Sequence, residues 1–186
     1  MNYPWNWAVF WDASPDGRGS YWQTLVDGLQ WTLAVALSAW ALAVILGVVV
    51  GVMRTLPSRL VAALAGLWVD LFRNIPLLVQ IFLWYFVIPE LLPSDIGTAI
   101  KRMPNPWGSF VPAVLGLALF TSARVAEQVR SGIQSLPRGQ LMAATALGLS
   151  TGQSYRYVLL PVALRIILPP MTSECMNTVK NSSVAL

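Results

Sequence analysis

The sequence has no histidine and a single cysteine, Cys175. No disulfide can close within one chain, and no Cys/His cluster can hold a metal. Charge is scarce too: Asp, Glu, Lys and Arg make up 11% of the chain, against roughly a quarter in soluble domains, while 56% is hydrophobic. That balance describes an integral membrane protein. A Gly-x-x-x-x-Gly-Lys-Ser/Thr phosphate loop is missing, so the chain carries no ATP site of its own. Lacking histidine, metal spacing and an activated nucleophile, it is not expected to be an enzyme. The N-terminus lacks the basic start and apolar core of a signal peptide; Trp5, Trp7, Trp11, Asp12 and Asp16 stand there instead. No internal repeat divides the chain, so residues 1–186 are read as one domain.

What is present is a series of apolar runs with basic ends. The net charge of +4 does not imply nucleic acid, because the basic residues are scattered at run ends, as snorkelling and topology require. Residues 1–24 are aromatic, with Tyr3, Trp5, Trp7, Phe10, Trp11, Tyr21 and Trp22. They suit the headgroup layer on the non-cytoplasmic side, or a ligand-contact element there. Residues 31–53 are free of charge and long enough to cross the hydrocarbon. Ala43, Gly47 and Gly51 share a face that would allow close helix contact, or merely reflect small-residue usage. Residues 60–72, flanked by Arg54, Arg59 and Arg73, read as a packed or interfacial helix. A second span follows over 74–89 with Leu71 and Phe72 before it, then a proline-rich external loop over 90–107.

The third span starts at Phe110 and runs on through Arg124, Glu127 and Arg130. These three and Gln134 fall near one helical face. They either pair or face a wet cavity, or form a solvated helix end. The fourth run, 162–186, holds Arg165, Glu174, Asn177, Lys180 and Asn181. Glu174, Asn177 and Asn181 share a face, a translocation path or a structural polar seam, since lipid satisfies no polar group. Cys175 reads as a small packing residue.

Between the last two runs lies a polar interruption, 135–161. Residues 141–147 are rich in helix formers. Gly148 supplies a stop, and Ser150 with Gln153 a capping-box start. Pro161 withholds an amide donor and is expected to limit the second helix. The prediction is a helix, a glycine elbow and a short helix, forming a knob outside the membrane.

Several of these stretches resemble a known family. Ala143-Ala144, Gly148, Val158 and Leu160-Pro161 keep the spacing of the EAA loop of ABC importer permeases, with Met142 where that loop usually has glutamate. FRNIPLLVQ at 72–80 resembles FRGTPLLVQ of polar amino acid permeases, and AEQVRSGI at 126–133 resembles their AEIVRGGI. Pro169-Pro170, Asn177 and the run 180–183 are similar to the segment after the loop. Over 72–93 and 120–137 the chain looks most like glutamate/aspartate permeases.

The resemblance implies an all-α, type I ABC importer permease with about four spans here, the family's usual last span missing. It implies transport of a polar, acidic amino acid across the cell inner membrane, coupled to a separate ATPase through residues 138–160. The partners implied are a cytoplasmic ATPase dimer that binds the ATP, a second permease subunit and a periplasmic binding protein. Gln140, Met142, Ala143, Ala144, Leu147, Gly148 and Pro161 would then form the docking loop. Arg73, Glu127, Arg130, Arg165, Glu174, Asn177 and Lys180 are candidates for the path or gate. Charge agrees on orientation: seven arginines lie in 54–73 and 124–156, against Arg18, Lys101 and Arg102 across the membrane. By the positive-inside rule the loop is cytoplasmic and the N-terminus is not. Two rivals are an ATP-independent transporter or channel and a truncated, non-transporting permease.

Overall fold

The computed structural model describes residues 5–15, 17 and 19–184. Tyr3, Asp16 and Arg18 lie outside the described residues. Among the rest the regular structure is helical, save one isolated bridge between Ala13 and Ser20.

Helix α1 (Tyr21–Met53) starts earlier than its charge-free run implies. Ser20 caps the Gln23 amide and the Gln23 side chain accepts from the Ser20 amide, so the local start signal overrides the hydropathy boundary. At 33 residues it is about 50 Å long, more than the ~30 Å of hydrocarbon. Helix α2 (Arg59–Asn74) and the segment α3 (Leu77–Leu91) meet at 101°. The expected second span is thus divided, its break falling at Ile75 and Pro76, both extended. Prolines disfavour helix in the residue before them, which is why the apolar run does not stay one helix. Gln80 repairs the break: its Nε2 donates to the carbonyls of Phe72 (2.7 Å) and Ile75 (2.9 Å). Lipid offers no substitute donor.

The expected loop over 90–107 contains a helix, α4 (Ser94–Lys101). Helix α5 (Trp107–Gln134) is the centre of the bundle, packed against α1, α2, α3 and the last helix. It runs parallel to α1, with Trp31 beside Trp107 at one end and Gly51 against Val129 at the other. The small face of α1 is a true contact. A Cβ on Gly47 would lie 2.6 Å from Val125 Cβ, and one on Gly51 2.7 Å from the Ala126 carbonyl. Helix α6 (Arg138–Ala146) leads to the last helix, α7 (Thr151–Ser182).

Pro161 does not end α7, contrary to expectation. A π-turn over Tyr155–Leu159 precedes it, in which the Leu160 amide donates to the Tyr155 carbonyl. The widened turn relieves the crowding that a proline imposes on the preceding turn. The same device precedes Pro89, where the Leu83–Val87 π-turn closes from Ile88 to Leu83. By length and composition α1, α5 and α7 can each cross a membrane, and the bent α2–α3 pair makes a fourth crossing if taken as one.

Candidate functional site

The first feature is a charged node built on α5. Glu127 pairs with Arg54, the residue that ends α1, and with Arg130 Nε at 3.1 Å; Arg73 lies 3.8 Å away. Arg130 also donates to Gln134 Oε1 at 3.0 Å, so the expected face of Arg124, Glu127, Arg130 and Gln134 is largely paired. One turn above, Arg124 reaches Glu174 of α7 at 3.6 Å and stacks over Phe120. Glu174 is buried and accepts from Asn177 Nδ2 at 3.4 Å.

Two cavities open here. One, of about 440 Å³, is bordered by Arg73, Glu127, Gln128 and Arg130; the other, of about 420 Å³, by Arg73, Arg124, Glu127, Gln128 and Glu174. Arg73, Glu127 and Gln128 line both, so they form one polar cleft. The charged groups in and beside it are unbalanced: Arg73, Arg124 and Arg130 line it and Arg54 pairs from beside it, against Glu127 and Glu174. Arg73 keeps 59% of its side chain exposed and is the arginine most open to a bound anion.

The structure therefore gathers Arg73, Glu127, Arg130, Glu174 and Asn177. It leaves Arg165 and Lys180 on the exposed surface of α7, without an ion pair among the described residues. Arg54 and Gln128 belong to the site but were read only as a basic run end and as a link in a motif. The signal for Arg54 was available in its position. It follows the Gly47/Gly51 contact face, which brings that end of α1 against α5.

The second feature is the knob. Gly148 has φ +78°, the left-handed conformation. Its amide donates to the Thr145 carbonyl (2.9 Å) and that of Leu149 to Ala144 (3.1 Å), the paired bonds of a Schellman cap. Ser150 and Gln153 form the expected reciprocal cap. Met142 and Leu147 stand 70% and 81% exposed, with Ala143 and Gly148 also open. Ala144 does not join them: it is buried against its own chain. Gln140 is half-buried, and Pro161 lies beyond the knob on α7.

The family model described as "Binding-protein-dependent transport system inner membrane component" matches residues 10–186. The chain belongs to this family. GltJ, a glutamate/aspartate import permease protein of Escherichia coli O6:H1 (strain CFT073), is 52% identical over 186 residues, all of this chain and 76% of that protein. GltK, a glutamate/aspartate import permease protein of the same strain, is 33% identical over 150 residues, 81% of this chain and 65% of that protein. A crystal structure of an amino acid ABC transporter with histidines matches with a TM-score of 0.70 at 31% identity, covering 89% of this chain and 72% of that one. The permease is an amino acid ABC permease subunit, all-helical and membrane-spanning. The resemblance read from FRNIPLLVQ, AEQVRSGI and the 135–161 loop holds at the level of the family.

Proposed function

We propose that this permease imports an acidic amino acid, glutamate or aspartate, across the inner membrane, driven by a separate ATPase that docks on the knob. The observation that carries the coupling is the exposed Met142/Leu147 pair, presented by a helix that Gly148 stops. Two large apolar side chains held out on a rigid cap make a surface suited to a protein partner. Met142, where a glutamate is usual, makes that contact more apolar. ATP-driven closure of the ATPase then biases the bundle between two arrangements through contacts that differ between them.

The acidic substrate is supported by GltJ and by the arginine excess around the cleft. Arg73 and Arg124 would meet the substrate carboxylates, with Glu174 or Glu127 receiving its amine. A second permease subunit completes the path. Since GltJ and GltK occur in one strain, a homologous rather than identical partner fits. The knob faces the cytoplasm, the N-terminus faces away, and a binding protein delivers substrate from outside.

The test is ATP-driven uptake in proteoliposomes containing the permease, its partner subunit, ATPase and binding protein. Labelled glutamate should accumulate, with excess aspartate competing and excess arginine leaving uptake within twofold. Competition by arginine and not by aspartate would overturn the acidic assignment. Uptake that survives removal of ATP and deletion of 141–147 would overturn the coupling.

A further inference from the structure

The knob is joined to the rest of the bundle by very little polar chemistry. Among the described residues, only one side chain in 138–160 hydrogen-bonds to a distant element. That side chain is Tyr155, at the start of the π-turn in α7. Its ring is buried, and its hydroxyl donates to the Thr55 carbonyl at 2.7 Å, with Thr55 Oγ1 at 3.1 Å. The Thr55 hydroxyl in turn donates to the Val52 carbonyl at 2.8 Å, one turn back on α1.

The position of this bond gives it a consequence. Thr55 follows Arg54, and Arg54 pairs with Glu127 at the charged node. Contacts therefore run without a gap from the knob through Tyr155, the end of α1 and Arg54 to the cleft. Both ends can move. On the knob side, Tyr155 lies in a π-turn, where the helix register already departs from i→i+4. On the other side, a cavity of about 500 Å³ opens beside the ring, bordered by Thr55, Leu136, Leu141, Tyr155 and Leu159. The body of the ring packs in the core with Leu136 and Leu159, and its edge borders this open space.

We infer that the Tyr155 hydroxyl is a latch transmitting displacement of the knob to the α1–α2 turn, and through Arg54 to the Glu127 node. Tyr155 is a positioning residue. It touches neither ATP nor substrate, and its effect is on how far one event drives the other. The inference rests on the importer reading, since it needs an ATPase to move the knob. Coupling is carried by an element whose two arrangements both sites bias, so the test separates docking, hydrolysis and transport.

The experiment compares native and Tyr155→Phe permease in the complete reconstituted complex. Phenylalanine keeps the ring and its packing and removes only the hydroxyl. Expected are ATPase capture and melting temperature close to native, continued ATP hydrolysis, and at least a tenfold fall in amino acid imported per ATP. Arg54→Gln should show the same uncoupling, and the double variant should be no worse than either single. Unchanged import per ATP in Tyr155→Phe overturns the latch. So does a parallel fall of capture, hydrolysis and melting temperature, because that reports a purely structural role. If Tyr155→Phe yields no folded protein, Arg54→Gln decides alone, and normal import per ATP there overturns the relay. A native complex that neither captures an ATPase nor hydrolyses ATP identifies failure of the importer reading itself, and the latch falls with it.

Discussion

Replacing Gly148 by proline should leave the permease inserted in the membrane and cut ATP-driven uptake at least tenfold. Gly148 sits at φ +78°, whereas proline is held near −65° and has no amide hydrogen. The substitution therefore removes the bond to Thr145 and forbids the turn itself. A Cβ at Gly148 would meet nothing within 4 Å, so the penalty comes from the backbone and not from crowding. That permits a graded series. Asparagine tolerates the left-handed region and should retain most uptake. Alanine must enter it at a cost of about 1–2 kcal/mol and should fall between. The expected order is glycine, asparagine, alanine, proline, in uptake and in ATPase capture together, with equal membrane content throughout. Equal uptake by glycine and proline would show that the elbow has no part in coupling.

Neutralising Glu127 should be comparably damaging for a different reason. Glu127 accepts charge-assisted bonds from Arg54 and Arg130, with Arg73 close by. Hydrogen bonds to charged groups contribute about 1.5–3 kcal/mol each, and breaking a partly buried pair also strands its partners. In Glu127→Gln three guanidinium groups would face each other with no carboxylate between them. Uptake should drop at least tenfold and the melting temperature in detergent should fall by several degrees. Adding Arg54→Gln removes one stranded charge. The double variant should recover part of the lost stability, with a coupling energy of about 0.5–3 kcal/mol, while uptake stays low. Strictly additive melting shifts would contradict a shared node.

The parts of this molecule legible from sequence are those written in local chemistry. The Ser150/Gln153 cap, the Gly148 stop and the charge-free stretch of α1 are each set by residues a few positions apart. The glycine contact face was visible in spacing, though spacing could not say whether anything packed there; Val125 and Val129 supply the answer. Less legible was whatever depends on helices meeting. Hydropathy joined 71–89 into one span because it averages over Ile75-Pro76, and it gave no hint that Gln80 would bond two carbonyls across the break. Pro161 read as a limit because a regular helix cannot hold it, but a π-turn can. Arg165 and Lys180 stand out as charges in an apolar run, Lys180 also as part of the 180–183 resemblance, and the structure places both on the exposed surface of α7, away from the cleft. The pairing of Arg54 and of Tyr155 is not legible in the sequence because their partners, Glu127 and Thr55, are far away along the chain.

Docking through the knob is tested most directly by capture of the ATPase on membranes containing the permease with Met142→Asp and Leu147→Asp together. These side chains are largely exposed, so the variant should insert and fold as native. The native permease should retain the ATPase through washing, and the double variant should retain none. Equal capture by both would contradict docking through the knob.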